Sequence, residues 1–558
     1  MTDRSTFEMK QNKIERAKTL LLPYDFREKL ESLDLSDLNE ETRFYLKNYG
    51  IYNIKLNPEK FMLRMRIAGG RVSRKILHVL ADTAQRYKLE LLITARAQLE
   101  LHGLAADNVL EVWELLQKTD ITTLQTLTDN FRNIVTDPYD GLEKNSQIET
   151  YAMIEQMQNI FLNRREWMGM LPRKFNTAIC GTQSTHVSFF SNDLFFGLAE
   201  KDGMQGFNLY LGGKNSETAQ HADMFVLPED VPLMFEAVAR AYRKYGLRGS
   251  RSKTRLYHLL EEIGLEVFAA RIAEFYPKKI SKGGTLQIQK NAPSAYRELK
   301  NGTYGYCCQS RFGVLDIKVL KAVLAYAEKE ALALRIGTDQ NLYLLGLKEK
   351  RVPFETIKGA SNITACAGSH YCALSLWDVK SDVSYLPLEK IEKYQIQIGF
   401  SGCLKGCGRH HHADIGLVGL RTNVFGETQQ AARVFIGGIY SRCGSPARLI
   451  FPVVPLIYLK GLIEAVIEEF ENSGENDFEA FSLHRLAPLS SGFVMLWFLS
   501  KLYLKGEIIL EHIPEEKLYH QLRQQPGFPL FDEDEMYVKS IDAMKHALWD
   551  DVSAIHTS

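Results

Sequence analysis

The chain has 558 residues, 45% of them hydrophobic and 24% charged, with Lys+Arg equal to Asp+Glu at 68 each. That length exceeds one ordinary core, so several domains are expected. With no net charge, nothing draws the molecule to nucleic acid or to an anionic membrane surface.

The N-terminus, MTDRSTFEMKQNKIERAK, is polar and lacks an apolar signal core. The segments IERAKTLLL and DLNEETRFYLKNYG that follow read as a helical, charged lead-in. After it the chain repeats itself. FMLRMRIAGGRVSRKILHVLADTAQRYKLELLITARAQLELHGL (Phe61–Leu104) finds a counterpart in YGYCCQSRFGVLDIKVLKAVLAYAEKEALALRIGTDQNLYLLGL (Tyr304–Leu347). Gly70 matches Gly313, Leu99 matches Leu342 and Gly103 matches Gly346, all at one offset. Each copy reads strand, helix (Ile76, Leu77, Leu80; Ile317, Leu320, Leu324), strand. A second pair of segments is also related: FNLYLGGK (Phe207–Lys214) and RVFIGGIY (Arg433–Tyr440). Two similar halves in one chain predict a pseudo-two-fold α+β protein.

Half of the eight cysteines lie in one short region of the second half. Cys366 and Cys372 stand in TACAGSHYCALS, in a small-residue loop read as continuing into a helix. Cys403 and Cys407 stand in FSGCLKGCGRHHHADIGLVG, after the alternating strand YQIQIGF. Thiolates gathered in this way select soft metals, and four of them can hold an iron–sulfur cube. Structural zinc is the alternative, although the C-x5-C arm is long for a zinc knuckle. Gly402, Gly406 and Gly408 are expected to let the backbone approach a bulky inorganic group. Cys180, Cys307, Cys308 and Cys443 lack such partners and read as core. The apolar stretches Leu449–Leu459 and Ser490–Leu504 are short and broken by Pro452, Pro455 and Lys501, so neither spans a bilayer. A soluble cytoplasmic protein is expected, and in that reducing compartment clustered cysteines are read as metal ligands before disulfides.

The run TAC-x-G-x3-C-x-L-x-L, followed by F-S-G-C-x3-C-G-R and A-D-I-G-L-V-G, resembles the siroheme- and [4Fe–4S]-containing nitrite and sulfite reductase family. The resemblance extends from about residue 55 to 470 and includes the duplication. It implies an α+β, pseudo-two-fold fold with ferredoxin-like half-domains and central mixed sheets. The expected divisions are a helical lead-in (1–54), a first ferredoxin-like half-domain (55–125) and a first siroheme and substrate-binding domain (126–300). A second half-domain (301–350), a second siroheme and [4Fe–4S] domain (351–470) and an extension without assigned role (471–558) follow. The resemblance further implies that Cys366, Cys372, Cys403 and Cys407 ligate the cluster, with Cys407 also ligating the siroheme iron and so coupling an electron store to the catalytic metal.

Siroheme carries eight carboxylates and the substrate is an oxyanion, so the site must be locally cationic. On the family's motifs Arg64 in MLRMRIAGG and Arg132 in DNFRNIVTDP take the anion-binding positions, and Lys174 in LPRKFNTAICG the active-site lysine. Arg66, two residues beyond Arg64, is expected to share its face and reach the cleft. Arg96 and His102 in ITARAQLELHG, and Gln340 and Asn341 in TDQNL, are implied macrocycle contacts. Asn176 stands where the family's sulfite reductases carry lysine and its nitrite reductases asparagine. A neutral amide suits the smaller monoanion, so reduction of nitrite to ammonium is expected. Reduction of sulfite to sulfide is the alternative, and a cluster-bearing electron carrier without catalysis the more remote one. Leu404 and Lys405 replace the common Cys-Pro-Asn start of the second motif. Adjacent histidines cannot all face one ion, so His410–His412 reads as pocket lining or a solvated turn. No flavin or nicotinamide glycine fingerprint is present. Electrons are therefore expected from a separate donor, ferredoxin or else a flavoprotein, with no nucleic-acid or membrane partner.

Overall fold

A computed structural model describes residues 11–30, 32–119, 121–291, 293–354, 362–380, 384–422, 428–439 and 444–504. Cys443, and the extension from residue 505 onward, lie outside the described residues. The chain divides into two compact units, Met1–Ser361 with Tyr440–Gly444, and Asn362–Ile439 with Ser445–Ser558. No helix among the described residues is long and apolar enough to cross a membrane.

The first unit opens on the helix Lys13–Leu20, capped by Asn12, whose side chain accepts from the amides of Ile14 and Glu15. Lys13 and Arg16 are exposed, but Glu15 and Lys18 are buried. Lys18 is only 2% exposed, and its ammonium meets Glu15 at 2.6 Å, Asp129 at 3.0 Å and the Leu171 carbonyl at 3.1 Å. Burial alone would raise the Asp129 carboxyl, but Lys18, Arg251 and Arg173 hold it well below the carboxylate range. The lead-in thus anchors the backbone just before Lys174. Lys18→Met, which leaves Glu15 and Asp129 short of a cation, is expected to destabilise the fold by about 3 kcal/mol, read as a lower urea midpoint.

Two sheets realise the repeat. In one the order is Ile51–Asn53, Lys60–Met65, Leu99–Ala105, Glu90–Ile93, Val314–Leu315; in the other it is Tyr296–Glu298, Tyr304–Cys308, Leu342–Leu347, Ala333–Ile336, Arg71–Val72. Each copy therefore lends a short edge strand to the other's sheet. Arg71 and Val72 pair with Arg335 and Leu334, while Val314 and Leu315 pair with Leu92 and Leu91. Gly70 and Gly313 make this exchange possible. Both have positive φ (71° and 83°), and a Cβ on either would strike the carbonyl oxygen of the facing strand, Ile336 and Ile93 respectively. The helices Arg74–Tyr87 and Ile317–Lys329, capped by Ser73 and Asp316, bury Leu77, Leu80, Ala81 and Ala84, and Leu320, Val323, Leu324 and Ala327. That spacing is one helical face, and it covers the sheets.

A third sheet of the first unit runs Gln220–Val226, Met204–Leu211, Leu194–Lys201, Phe175–Cys180, Phe131–Val135, its last three strands parallel. The second unit is built on the same plan. Ile363–Ala365, Ile398–Ser401 and Ile415–Thr422 are parallel, and Gln429–Ile436 and Arg448–Pro455 continue antiparallel. Both sheets run on into a helix, Val231–Tyr245 in one and Leu456–Ser473 in the other. Phe207–Leu211 and Arg433–Ile436 occupy equivalent strands, the relation read from FNLYLGGK and RVFIGGIY.

Two local readings need correction. The strand expected over YQIQIGF begins only at Ile398, because a short helix, Leu388–Lys393, occupies the preceding chain and Gln395 takes a left-handed φ of 54°. No helix follows Cys372: the segment to Lys380 is a series of turns. Small residues and the ties described below hold it to the neighbouring loop instead.

Candidate functional site

In the second unit two adjacent parallel strands, Ile363–Ala365 and Ile398–Ser401, end side by side and release the two cysteine loops. The carboxyl ends of parallel strands are where such sheets place ligands. Backbone bonds lace the loops together: Cys366 N–H to the Phe400 carbonyl (2.9 Å), Leu376 N–H to the Gly402 carbonyl (2.9 Å) and Cys372 N–H to the Gly368 carbonyl (3.0 Å). The Cys366 sulfur accepts amide hydrogens from Gly402 at 3.1 Å and Gly368 at 3.3 Å. Such donors stabilise a thiolate.

The thiols act on one another. Burial and the charge of Cys407 push the Cys366 thiol up to about 11, against the two amide donors. Burial, Cys407 and Cys372 raise Cys403 despite the Lys405 amide. Gathered thiols that resist ionisation call for a cation to hold them as thiolates. Among the described residues no group of three or more His, Cys, Asp or Glu side chains is set to hold a metal ion.

Two of the loop glycines are required by the packing of the loops themselves. A Cβ on Gly402 would collide with the Ser375 hydroxyl, and one on Gly408 with the Phe400 carbonyl. The His410–His412 run splits. His410 is buried, with Nδ1 3.0 Å from the Ser401 hydroxyl, and burial with His411 and His412 holds it neutral, down at about 3. His411 Nδ1 instead approaches the Ala447 carbonyl at 3.3 Å. Ser401, unremarked in the sequence, also accepts the Gly408 amide at 3.0 Å and so closes the end of the Cys403–Cys407 loop.

In the first unit the parallel strands Phe131–Val135 and Phe175–Cys180 pair through Phe131 and Phe175. Arg132 and Asn176 each follow one of these residues. Lys174, half-buried, immediately precedes the second strand. Asn176 is fully buried, yet neither side-chain atom has a hydrogen-bond partner, and the Nη1 of Arg132 is likewise buried and unpartnered. Each such atom costs about 1–3 kcal/mol. Burial, then Arg64, Arg173 and Arg96, depress the Arg132 pKa well below the usual guanidinium range, with Asp129 opposing. Four like charges around buried, unsatisfied donors are unfavourable by themselves and suit an anionic ligand.

Arg64 lies opposite Glu100 across the strand pair and binds it through Nε at 2.6 Å and through Nη2. His102 Nε2 reaches the other Glu100 oxygen at 2.9 Å. Burial would raise the Glu100 carboxyl, but Arg64 and His102 bring it down to about 2. Arg96 donates to Asn192 at 2.9 Å. Arg66 does not share Arg64's direction: it lies beyond the strand's last residue, Met65, and is buried. Its guanidinium donates to the carbonyls of Arg132, Gln125 and Phe131 at 2.7–2.9 Å. Burial lowers it to about 9. It fixes the backbone that carries Arg132.

Gln340, at φ 68°, donates to the Ile93 carbonyl at 3.0 Å, and Asn341 accepts from the Ser310 amide at 3.1 Å and donates to Asp339 at 3.0 Å. These bonds tie the two ferredoxin-like halves and the Asp339 turn. Glu100, Asn133 and Asp193 escaped the sequence reading. Asn133 donates to the carbonyls of Ile67, Arg96 and Ala97. Asp193, gripped by Arg255 at 2.7 and 2.9 Å, accepts from the Asn176 backbone N–H at 2.8 Å. Only Glu100 had a signal, its position two residues before His102 on one strand face.

Two domain models match the chain. The nitrite and sulphite reductase 4Fe-4S domain covers residues 127–280 and again 357–502, and the nitrite/sulfite reductase ferredoxin-like half domain covers 54–119. A ferredoxin–nitrite reductase of Leptolyngbya laminosa is 26% identical over 477 residues, spanning 79% of this chain and 91% of that protein. A sulfite reductase (ferredoxin) of Mycolicibacterium paratuberculosis is 27% identical over 456 residues, spanning 73% and 81%. The solved structure of the Mycobacterium tuberculosis NirA protein shares the fold, with TM-score 0.77 at 22% identity, covering 85% of this chain and 97% of that one.

Proposed function

The chain belongs to the nitrite and sulphite reductase family, and on that premise we propose that it reduces nitrite to ammonium with six electrons from an external donor such as ferredoxin. The observation that carries the reading is the first unit's arginine cluster around the buried, unpartnered Arg132 and Asn176 side chains. A pure electron carrier has no use for an anion pocket. The laced cysteine loops fit a [4Fe–4S] cluster on Cys366, Cys372, Cys403 and Cys407, and the cationic cluster fits a polycarboxylate macrocycle and an oxyanion. Cys407 would be a ligand to the siroheme as well as to the cluster, and the two groups would supply the electrons and the redox-active iron that the reduction needs.

The protein's own residues bind the anion and manage protons. The Arg132 Nη1 and the Arg64 guanidinium donate to its oxygens. The Asn176 Nδ2 adds a neutral donor. The Lys174 ammonium gives protons to departing oxygen, which leaves as water. Arg96 and His102 would serve the macrocycle rim, with Gln340 and Asn341 holding the turn beside it. Sulfite reduction by the same residues is the second reading, favoured by the strength of the cationic field. Turnover of the two anions with a chemically reduced donor decides between them; higher efficiency on sulfite would overturn the nitrite reading. Asn176→Lys is expected to shift the efficiency ratio toward sulfite by about tenfold, since it adds one positive charge at the pocket. An unchanged ratio would remove Asn176 from the account.

A further inference from the structure

We propose that Glu100 sets the charge of the anion pocket and thereby its preference for a monoanion over a dianion. This rests on the first unit being the anion site. Glu100 is 5% exposed and sits directly across the strand pair from Arg64, which it binds through two guanidinium nitrogens, while its other oxygen meets His102 at 2.9 Å. A buried carboxylate is an odd tenant beside a pocket for anions, because it opposes their binding. The other acids beside the cluster are already covered: Asp129 by Lys18, Arg173 and Arg251, and Asp193 by Arg255. Glu100 is therefore the acid that trims the field of Arg64 itself. Its carboxyl, held at about 2, stays ionised wherever the protein is folded and working.

The consequence follows from Coulomb's law. A fixed negative charge a few ångströms behind Arg64 repels a dianion twice as strongly as a monoanion in the same place. At the effective dielectric of a partly buried site, that difference amounts to about tenfold in relative affinity or more. Glu100 thus works in the same direction as Asn176, whose amide adds no charge. A carboxylate that only held Arg64 in place would affect both anions alike.

The test is equilibrium binding of nitrite and of sulfite to the oxidised holoenzyme, followed by the visible spectrum at mildly alkaline pH, where sulfite is a dianion. Glu100→Gln, which keeps shape and an acceptor oxygen, is expected to raise the sulfite-to-nitrite affinity ratio about tenfold. Glu100→Asp should leave it near the wild-type value. The same step is expected between Arg64→Gln and the double variant Arg64→Gln/Glu100→Gln. That arm stands if Glu100→Gln alone does not fold, and it separates charge from the pose of Arg64. A ratio unchanged in both arms overturns the proposal and leaves the reductase reading intact. If neither anion perturbs the wild-type spectrum, the anion-site reading falls and this inference falls with it.

Discussion

Replacing Cys407 by serine is expected to abolish the [4Fe–4S] cluster and with it all reductase activity, while the polypeptide stays folded. The argument has two parts. A serine hydroxyl ionises far less readily than a thiol and offers a hard oxygen in place of a soft sulfur, so one corner of the cube would lose its ligand. Cys407 is also the thiol whose charge acts on both Cys366 and Cys403, which places it among the others rather than apart. The loops, however, do not depend on it for their shape. Cys366 N–H to Phe400, Leu376 N–H to Gly402 and Gly408 N–H to Ser401 all survive the change. The checks are iron and acid-labile sulfide content, the visible spectrum, and far-ultraviolet circular dichroism on the same sample. Full iron content with an unaltered spectrum would sink the assignment of Cys407.

The second large effect is a trade between stability and activity at Arg132. Arg132→Met is expected to lower nitrite turnover by about a hundredfold to a thousandfold, the loss that follows removal of one aimed donor to a developing oxyanion. The same change should stabilise the cofactor-free protein by about 1 kcal/mol. The guanidinium is buried, pressed by Arg64, Arg173 and Arg96, and leaves Nη1 without a partner. An unbranched apolar chain of similar length removes the repulsion and the desolvation cost together. Arg66 bonds the Arg132 carbonyl rather than its side chain, so the backbone stays where it is. Urea unfolding of the cofactor-free variant and steady-state kinetics of the loaded one read the two halves separately. A destabilised variant would mean that Arg132 is held by the fold and not for a ligand.

The architecture was legible in the sequence to the extent that it repeats. The single offset linking Gly70 to Gly313 and Gly103 to Gly346 reports two copies of one unit, because each glycine is demanded by the same backbone event in each copy. What the offset does not reveal is the exchange of Arg71–Val72 and Val314–Leu315 between sheets. A two-residue strand has no periodicity, and the identity of its partner depends on how the copies are placed. The strand over YQIQIGF was read too long for a related reason: alternation of apolar residues says nothing about where a preceding helix ends.

At the site, the residue types were readable and their directions were not. The cysteine spacing, the small residues around it and the basic motifs are covalent facts of the chain, and they settle which chemistry is on offer. The charge balance of the anion pocket is not among them. Arg64 and Arg66 are two residues apart, yet one guanidinium meets Glu100 and the other turns inward onto three carbonyls. Lys18 lies far along the chain from the basic motifs and pairs with Asp129, the first residue of one of them. By itself the sequence determined the duplicated α+β plan and the spacing of the cysteine and basic motifs, through local pattern and side-chain chemistry. Only the tertiary structure decided which charges are neutralised and which buried polar atoms are left without a partner. Burial and distance set the strength of a charge, and both are properties of the folded chain.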